Sequence, residues 1–234
     1  MGKNLIQQAR GKGSPTYTAP SFRYLGDVKM KPGTWQATVL DFVKSQGHSA
    51  PLAVVKYSDG STGYMISTEG MSVGMVIEAR SDAEVSMGNA ISLKNIPEGT
   101  LVCNIESVPG DGGRFARTTG TFGKILTKTN SKVIVILPSK KEKEFHPECR
   151  AVIGLVSGGG RLEKPFFKAG NLFHKMAAKN KKYPSIGGAV QNAVDHPFGN
   201  KRSSRKSKAR PAPHNAPPGR NVGMIRPRRT GRKK

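Results

Sequence analysis

Three short strings hold the residues of this chain best placed to do chemistry. The first is Asp195-His196-Pro197, inside VDHPFGN (residues 194–200), where a carboxylate adjoins an imidazole. An imidazole titrates near neutrality, so His196 oriented by Asp195 is a candidate for proton transfer. Neighbouring positions do not by themselves make a hydrogen bond, and no nucleophile lies nearby. A turn whose Asp and His bond elsewhere is the competing expectation. The second string is His146-Pro147-Glu148-Cys149, which has metal-ligand spacing and could be completed by Cys103 or His174. One such pair without a second does not define a zinc site, so a buried thiol beside a turn histidine is expected, with no metal. The third is Gly158-Gly159-Gly160 followed by Arg161, whose backbone amides could approach a phosphate. A tight turn of a β-barrel explains the same glycines. PGDGGRFA (residues 109–116) admits the same two readings.

Enzyme signatures are missing. The sequence has no GxxxxGK[ST] phosphate loop, no GxSxG elbow and no HExxH helix. It points to no enzyme, no cofactor and no small-molecule substrate.

The elements that would position these strings are set apart by charge. Residues 172–234 contain 17 Lys/Arg and one acid, Asp195, a net of +16 out of +24 for the chain. The first 33 residues add +5, and the middle is nearly balanced at +3. Charge concentrated on two tails predicts a polyanionic partner, because self-repulsion otherwise opposes order. KRSSRKSKARP (residues 201–211) and RPRRTGRKK (residues 226–234) interleave cations with Ser, Gly and Pro. They lack the apolar face of a membrane-bound helix and suit phosphate backbones instead. Aromatic residues are only 6% of the chain, which favours recognition of folded RNA by shape and backbone over stacking on single strands. There is no apolar run long enough to span a membrane, and the N-terminus lacks the apolar stretch of a signal peptide. Two cysteines suit a reducing compartment.

Only residues 34–172 have the apolar content to fold alone. Their short runs of Val, Ile, Thr and Tyr alternate with polar residues and are broken by turns, among them Ser58-Asp59-Gly60. Such spacing predicts small antiparallel barrels, with strands in residues 34–43, 51–68, 72–79, 99–108, 114–129, 131–139 and 148–158. A break near residues 89–99 marks the expected domain boundary. A short helix is expected over residues 171–179. The segment before Gly33 reads as an extended arm.

Three runs carry a family resemblance. AVDHPFGN before the basic tail, GLVSGGGRLEKPFFKAGNLFHK (residues 154–175) and IPEGTLVCNIESVPGDGGRFARTTGTFGKIL (residues 96–126) occur in that family's order. Together they resemble the ribosomal protein L-two family in its archaeal and eukaryotic branch, over nearly the whole chain. The resemblance implies a mostly β fold, an N-terminal OB-type barrel and a C-terminal SH3-like barrel with long basic extensions at both ends. The corresponding divisions are 1–33 for a basic arm, 34–90 and 91–171 for the barrels, and 172–234 for the tail. It also implies a structural constituent of the large ribosomal subunit in the cytoplasm. Its partners would be large-subunit rRNA, neighbouring ribosomal proteins and the small subunit, and its role would lie in assembly, subunit association, tRNA placement and the peptidyl transferase region. RNA contact is expected at Gly158, Gly159, Gly160, Arg161, Lys164, Lys168, His174, Lys175 and His196, and in the tail at Lys201, Arg202, Arg205, Lys206 and Arg210.

The family's functional histidine falls on His196. Because the ribosome's catalytic centre is RNA, His196 is expected as a tail residue buried in rRNA. A direct acid/base part for His196 with Asp195, or a nonspecific DNA-binding basic protein, are the alternatives. The family pattern AMNPVDHPHGGG is altered here: Gln191-Asn192-Ala193 stand in the Met-Asn-Pro part, Phe198 replaces the second histidine, and Asn200 ends the glycine run. RNA packing by the loop is expected to survive these changes, since Phe198 can stack on a base or sugar.

Overall fold

A computed structural model describes residues 3–199 together with 212, 213, 215–217, 220, 222 and 223. The chain divides into two compact units, Ser21–Phe166 and Met1–Pro20 with Phe167–Lys234.

Ser21–Phe166 contains every strand among the described residues. β1 (Trp35–Val43) buries Trp35, Ala37 and Val39 and turns Gln36 and Leu40 outward, the alternation that a half-buried strand imposes. β2 (Leu52–Tyr57) and β3 (Thr62–Ile66) form the hairpin expected around Ser58-Asp59-Gly60. Gly60 takes the turn's left-handed conformation at φ 83°, and Asp59 accepts the Ser61 amide at 3.0 Å. There follow β4 (Val76–Ala79), β5 (Ala90–Ser92), β6 (Leu101–Cys103), β7 (Gly123–Lys128), β8 (Val133–Ile136), β9 (Glu142–Phe145) and β10 (Arg150–Ile153). The strands form one sheet in the order β3-β2-β1-β4-β5-β10-β6-β7-β8-β9. Between these strands pairing is antiparallel except at the contact of Ala79 in β4 with Ala90 in β5, and Val28 ahead of β1 adds an isolated parallel bridge to Tyr64 of β3. The fold is thus mostly β.

The sheet wraps two apolar cores in a barrel-type arrangement. Val39, Leu52, Val55, Met65 and Ile77 centre the first, and Val28 and Met30 from the chain before β1 close onto it. Ile91, Leu93, Ile105, Ile125 and Val135 centre the second. β10 serves both: Val152 belongs to the first cluster, Ala151 and Ile153 to the second.

Beneath the turn at residues 107–113 lies a buried ion pair. Glu106, with no exposed side-chain surface, meets Arg150 at 2.9 Å. Its carboxylate also accepts the amides of Gly110, Gly112 and Arg150 at 3.2, 3.3 and 2.9 Å. Arg150 continues outward to the carbonyls of Lys31 and Gly33 at 3.0 and 2.9 Å. Asp111 accepts the Ser107 and Gly113 amides at 3.0 and 2.9 Å, so residues 109–113 form a clamped turn.

In the other unit, α1 (Ile6–Gly11) starts where Gln8 Oε1 accepts the Leu5 amide at 2.9 Å. The arm is therefore not extended throughout. α2 (Ala169–Ala178) begins two residues before the helix expected from sequence and stops one before its end. Asn180 then donates to the carbonyls of Pro15 and Thr18 at 2.9 and 2.8 Å, fastening the end of α2 to the N-terminal segment.

Candidate nucleic-acid interface

The glycine run leaves β10 under firm restraint. The Ser157 amide donates to the Ser67 carbonyl at 3.1 Å, and the hydroxyls of the same two residues lie 2.5 Å apart. Gly158 turns through φ 76°, and Gly159–Leu162 make a 3₁₀ turn. At this point Gly120 packs backbone to backbone on Gly159: a Cβ on Gly120 would lie 2.6 Å from the Gly159 Cα. Next to this contact Arg161 donates from Nε to the Thr119 hydroxyl at 3.1 Å while its side chain stays exposed. Lys164 follows, exposed. Gly158 and Gly159 therefore build a tight crossing. Gly160 is open, with Glu163 Oε2 4.0 Å from where its Cβ would stand.

This geometry separates two roles for the glycines. Gly120→Ala forces a side chain onto backbone at φ 69°, where left-handed strain costs about 1–2 kcal/mol and overpacking about 1–3 kcal/mol. Urea unfolding is expected to report a loss of roughly 2–4 kcal/mol. Gly160→Ala is expected to leave stability within about 0.5 kcal/mol. A fall in RNA affinity for Gly160→Ala alone would then mark the open amides as a backbone contact.

The metal-ligand string of the body is tied up in local hydrogen bonds. His146 Nδ1 accepts the Glu148 amide at 3.2 Å, and the Cys149 amide donates to the His146 carbonyl at 3.0 Å, so HPEC is a turn. Cys103 and Cys149 are both buried, and burial pushes their thiols up to about 12 and about 11. Among the described residues no group of three or more His, Cys, Asp or Glu could hold a metal ion.

Lys168, His174 and Lys175 fall in the other unit, apart from Gly158–Lys164 in the chain's division. Lys168 immediately precedes α2 and is exposed. His174 is exposed on the helix, edge-on to Phe173 with ring centroids 5.6 Å apart. Lys175 is half-buried in the last turn, where a cation complements the helix dipole. Lys201, Arg202, Arg205, Lys206 and Arg210 lie outside the described residues.

Asp195 and His196 adjoin in sequence but take different partners. The Asp195 carboxylate lies 3.5 Å from Lys3 Nζ. His196 Nδ1 accepts the Phe198 amide at 3.1 Å, which places the proton of the neutral ring on Nε2. The Asp195 and His196 amides both donate to the Asn192 carbonyl at 3.0 Å, closing the loop. The imidazole packs over Gly188 and stands 5.1 Å from the Phe198 ring. Phe198 in turn covers Gly223 and is half-buried. Burial pulls His196 below the ordinary imidazole value. A lowered folded-state value means that the loop's packing is intact above about pH 6.5 and weakens as pH falls below it, because the unfolded chain then binds the proton more readily. Lys3, Arg10, Lys182 and His196 line one cavity in this unit. Lys3 and Thr119 carry no sequence signal that ties them to the residues they serve.

Residues 86–216 match the family model described as Ribosomal Proteins L2, C-terminal domain. Along 99% of both chains, the sequence is 50% identical to the large ribosomal subunit protein uL2 of Archaeoglobus fulgidus. It is 45% identical to the protein of the same name from Methanococcoides burtonii, over the whole of both chains. Against that of Haloarcula marismortui it is 45% identical over 99% of this chain and 98% of the other. A match of this extent, on a mostly β body flanked by basic segments, makes the chain a member of the ribosomal protein L2 family.

Proposed function

We propose that the protein is a structural constituent of the large ribosomal subunit and binds that subunit's rRNA, without enzymatic activity of its own. The observation that carries this reading is the separation of charge: +16 on residues 172–234 beside a middle of only +3. The family membership supplies the setting. Arg161, fixed by Thr119 beside the glycine crossing, and the exposed Lys164 give the body a cationic edge, while Lys168 and the tail supply cations from the other unit. Fixed cations set register on a folded RNA, and tail cations add affinity by releasing counterions. In this reading the two barrels dock and the arm and tail anchor, with residues 21–33 counted to the body. The reading places the protein in the cytoplasm with the subunit, beside other ribosomal proteins.

His196 belongs to this reading as a packing residue of a loop set in RNA. A general base needs an orienting partner on its far nitrogen, and here Asp195 is engaged by Lys3. Replacing His196 with Gln is expected to leave the peptide-bond rate of fully assembled subunits unchanged, as single-turnover kinetics would measure. A large drop in that rate with assembly intact would restore the acid/base alternative.

Binding of the full chain to fragments of large-subunit rRNA, with duplex DNA of equal length as competitor at matched salt, tests the main reading. RNA is expected to win at moderate salt. Equal competition by DNA would leave only a nonspecific polycation.

A further inference from the structure

One part of this cationic chain is built against the trend. Residues 69–88 carry Glu69, Glu78, Asp82 and Glu84 against a single cation, Arg80, which is paired with Asp82 at 3.2 Å. Folding brings the two ends of this segment together. Buried Asn89 accepts the Glu78 amide at 3.0 Å and donates to the Glu84 carbonyl at 3.1 Å and the Ser86 hydroxyl at 2.9 Å, tying the loop after β4 back onto that strand. Met87 lies over the Glu69-Gly70 turn, since a Cβ on Gly70 would stand 2.9 Å from its sulfur. Val85 and Met87 nevertheless remain 43% and 44% exposed. Two apolar side chains are thus left uncovered in an acidic segment of the chain.

A phosphate backbone is repelled by such a surface, and water alone leaves its apolar part uncovered. We propose that this face docks another protein, through a Lys/Arg-rich segment with an apolar side chain that covers Val85 and Met87. Charge complementarity selects the occupant: carboxylates around an apolar centre match a cationic rim around an apolar anchor. The inference rests on the ribosomal reading only for the source of the partner, a second cation-rich protein of the same subunit. The face would serve protein contact while Arg161 meets RNA.

Carbodiimide chemistry tests this, because it joins a carboxylate directly to a touching lysine. In the free full-length protein, Glu69 and Glu84 are expected to react with an added amine such as glycinamide. In assembled large subunits they are expected to be protected from the amine and joined to lysines of another protein. Equal labelling in both states would overturn the proposal, as would protection by RNA without any lysine crosslink. A second arm uses the free protein and a short peptide of interspersed lysine and leucine. A polycation that binds a +24 chain at moderate salt requires a local acidic face. Binding should weaken about tenfold or more in Glu84→Lys/Met87→Ser while rRNA affinity is unchanged. An equal effect on both ligands, or none on the peptide, sinks the docking face. If the protein does not enter large subunits at all, the ribosomal reading has failed, and the peptide arm decides this one.

Discussion

Glu106→Ala is expected to destabilise the body by about 3–5 kcal/mol, which thermal unfolding would register as a fall in Tm of roughly 10 °C. The magnitude follows from what the substitution leaves behind. Arg150 is only 13% exposed and would lose its counter-charge. The amides of Gly110, Gly112 and Arg150 would lose their acceptor at the same time. An unpaired buried charge costs far more than the pair contributes, since most of the loss is desolvation no longer offset. Arg150→Ala should cost a similar amount by orphaning the carboxylate. Glu106→Leu combined with Arg150→Met should recover part of the loss, because no charge then remains buried. If either single substitution is neutral in urea titration, the pair is hydrated in solution and the turn at residues 107–113 is held by Asp111 alone.

Changing Lys201, Arg202, Arg205, Lys206, Lys208 and Arg210 together to Gln is expected to flatten the salt dependence of rRNA binding. Each phosphate contact contributes about 0.9 to the slope of log affinity against log salt, so six contacts account for about 5. Through them the parent chain would lose about 10³ in affinity between roughly 50 and 200 mM salt, and the variant would not. Preference for rRNA over duplex DNA should survive, because the Arg161 edge is untouched. A filter-binding titration at several salt concentrations reads both quantities. An unchanged slope would mean that these cations meet no phosphates, and the anchoring role would pass to the N-terminal arm or to Arg226–Lys234's neighbours in sequence.

Much of the fold can be read from local pattern, and the exceptions have local causes. β1, β2 and β3 announce themselves because alternation in residues 35–66 coincides with a strong turn at Asp59-Gly60. β5 is hidden, since Ala90-Ile91-Ser92 is too short to display a period and sits where Gly and Pro suggest a break. β9 is hidden by composition: Glu142-Lys143-Glu144 looks like a solvated loop, and only Phe145 is buried. That strand is an edge, where charge on the exposed residues discourages pairing with other chains. α2 starts early because Ala169 and Gly170 extend the turn that Asn171 was expected to open.

The interface was legible in kind more than in detail. Basic runs and glycine strings stand out in one dimension. Their partners do not: Gly120 lies 39 residues before Gly159, and Thr119 lies 42 before Arg161. Adjacency misled at Asp195 and His196, where a long-range lysine took the carboxylate and a backbone amide took the imidazole. Glu106 and Arg150, 44 residues apart, are each unremarked in their own segment and become informative only once the sheet joins them.

The place of β10 bears on how the chain is made. It is last in sequence among the strands yet central in the sheet, between β5 and β6. During synthesis, at about 5–20 residues per second, every other strand leaves the exit tunnel while that central slot is still empty. Until β10 arrives, two strand edges stay open and Glu106 has no Arg150 to meet. A nascent chain stopped before residue 150 is therefore an unfinished object and not a smaller protein. Its release would expose the kind of unpaired edges that recruit strands from other chains. The finishing strand thus arrives as a late step, after which the sheet runs unbroken from β3 to β9.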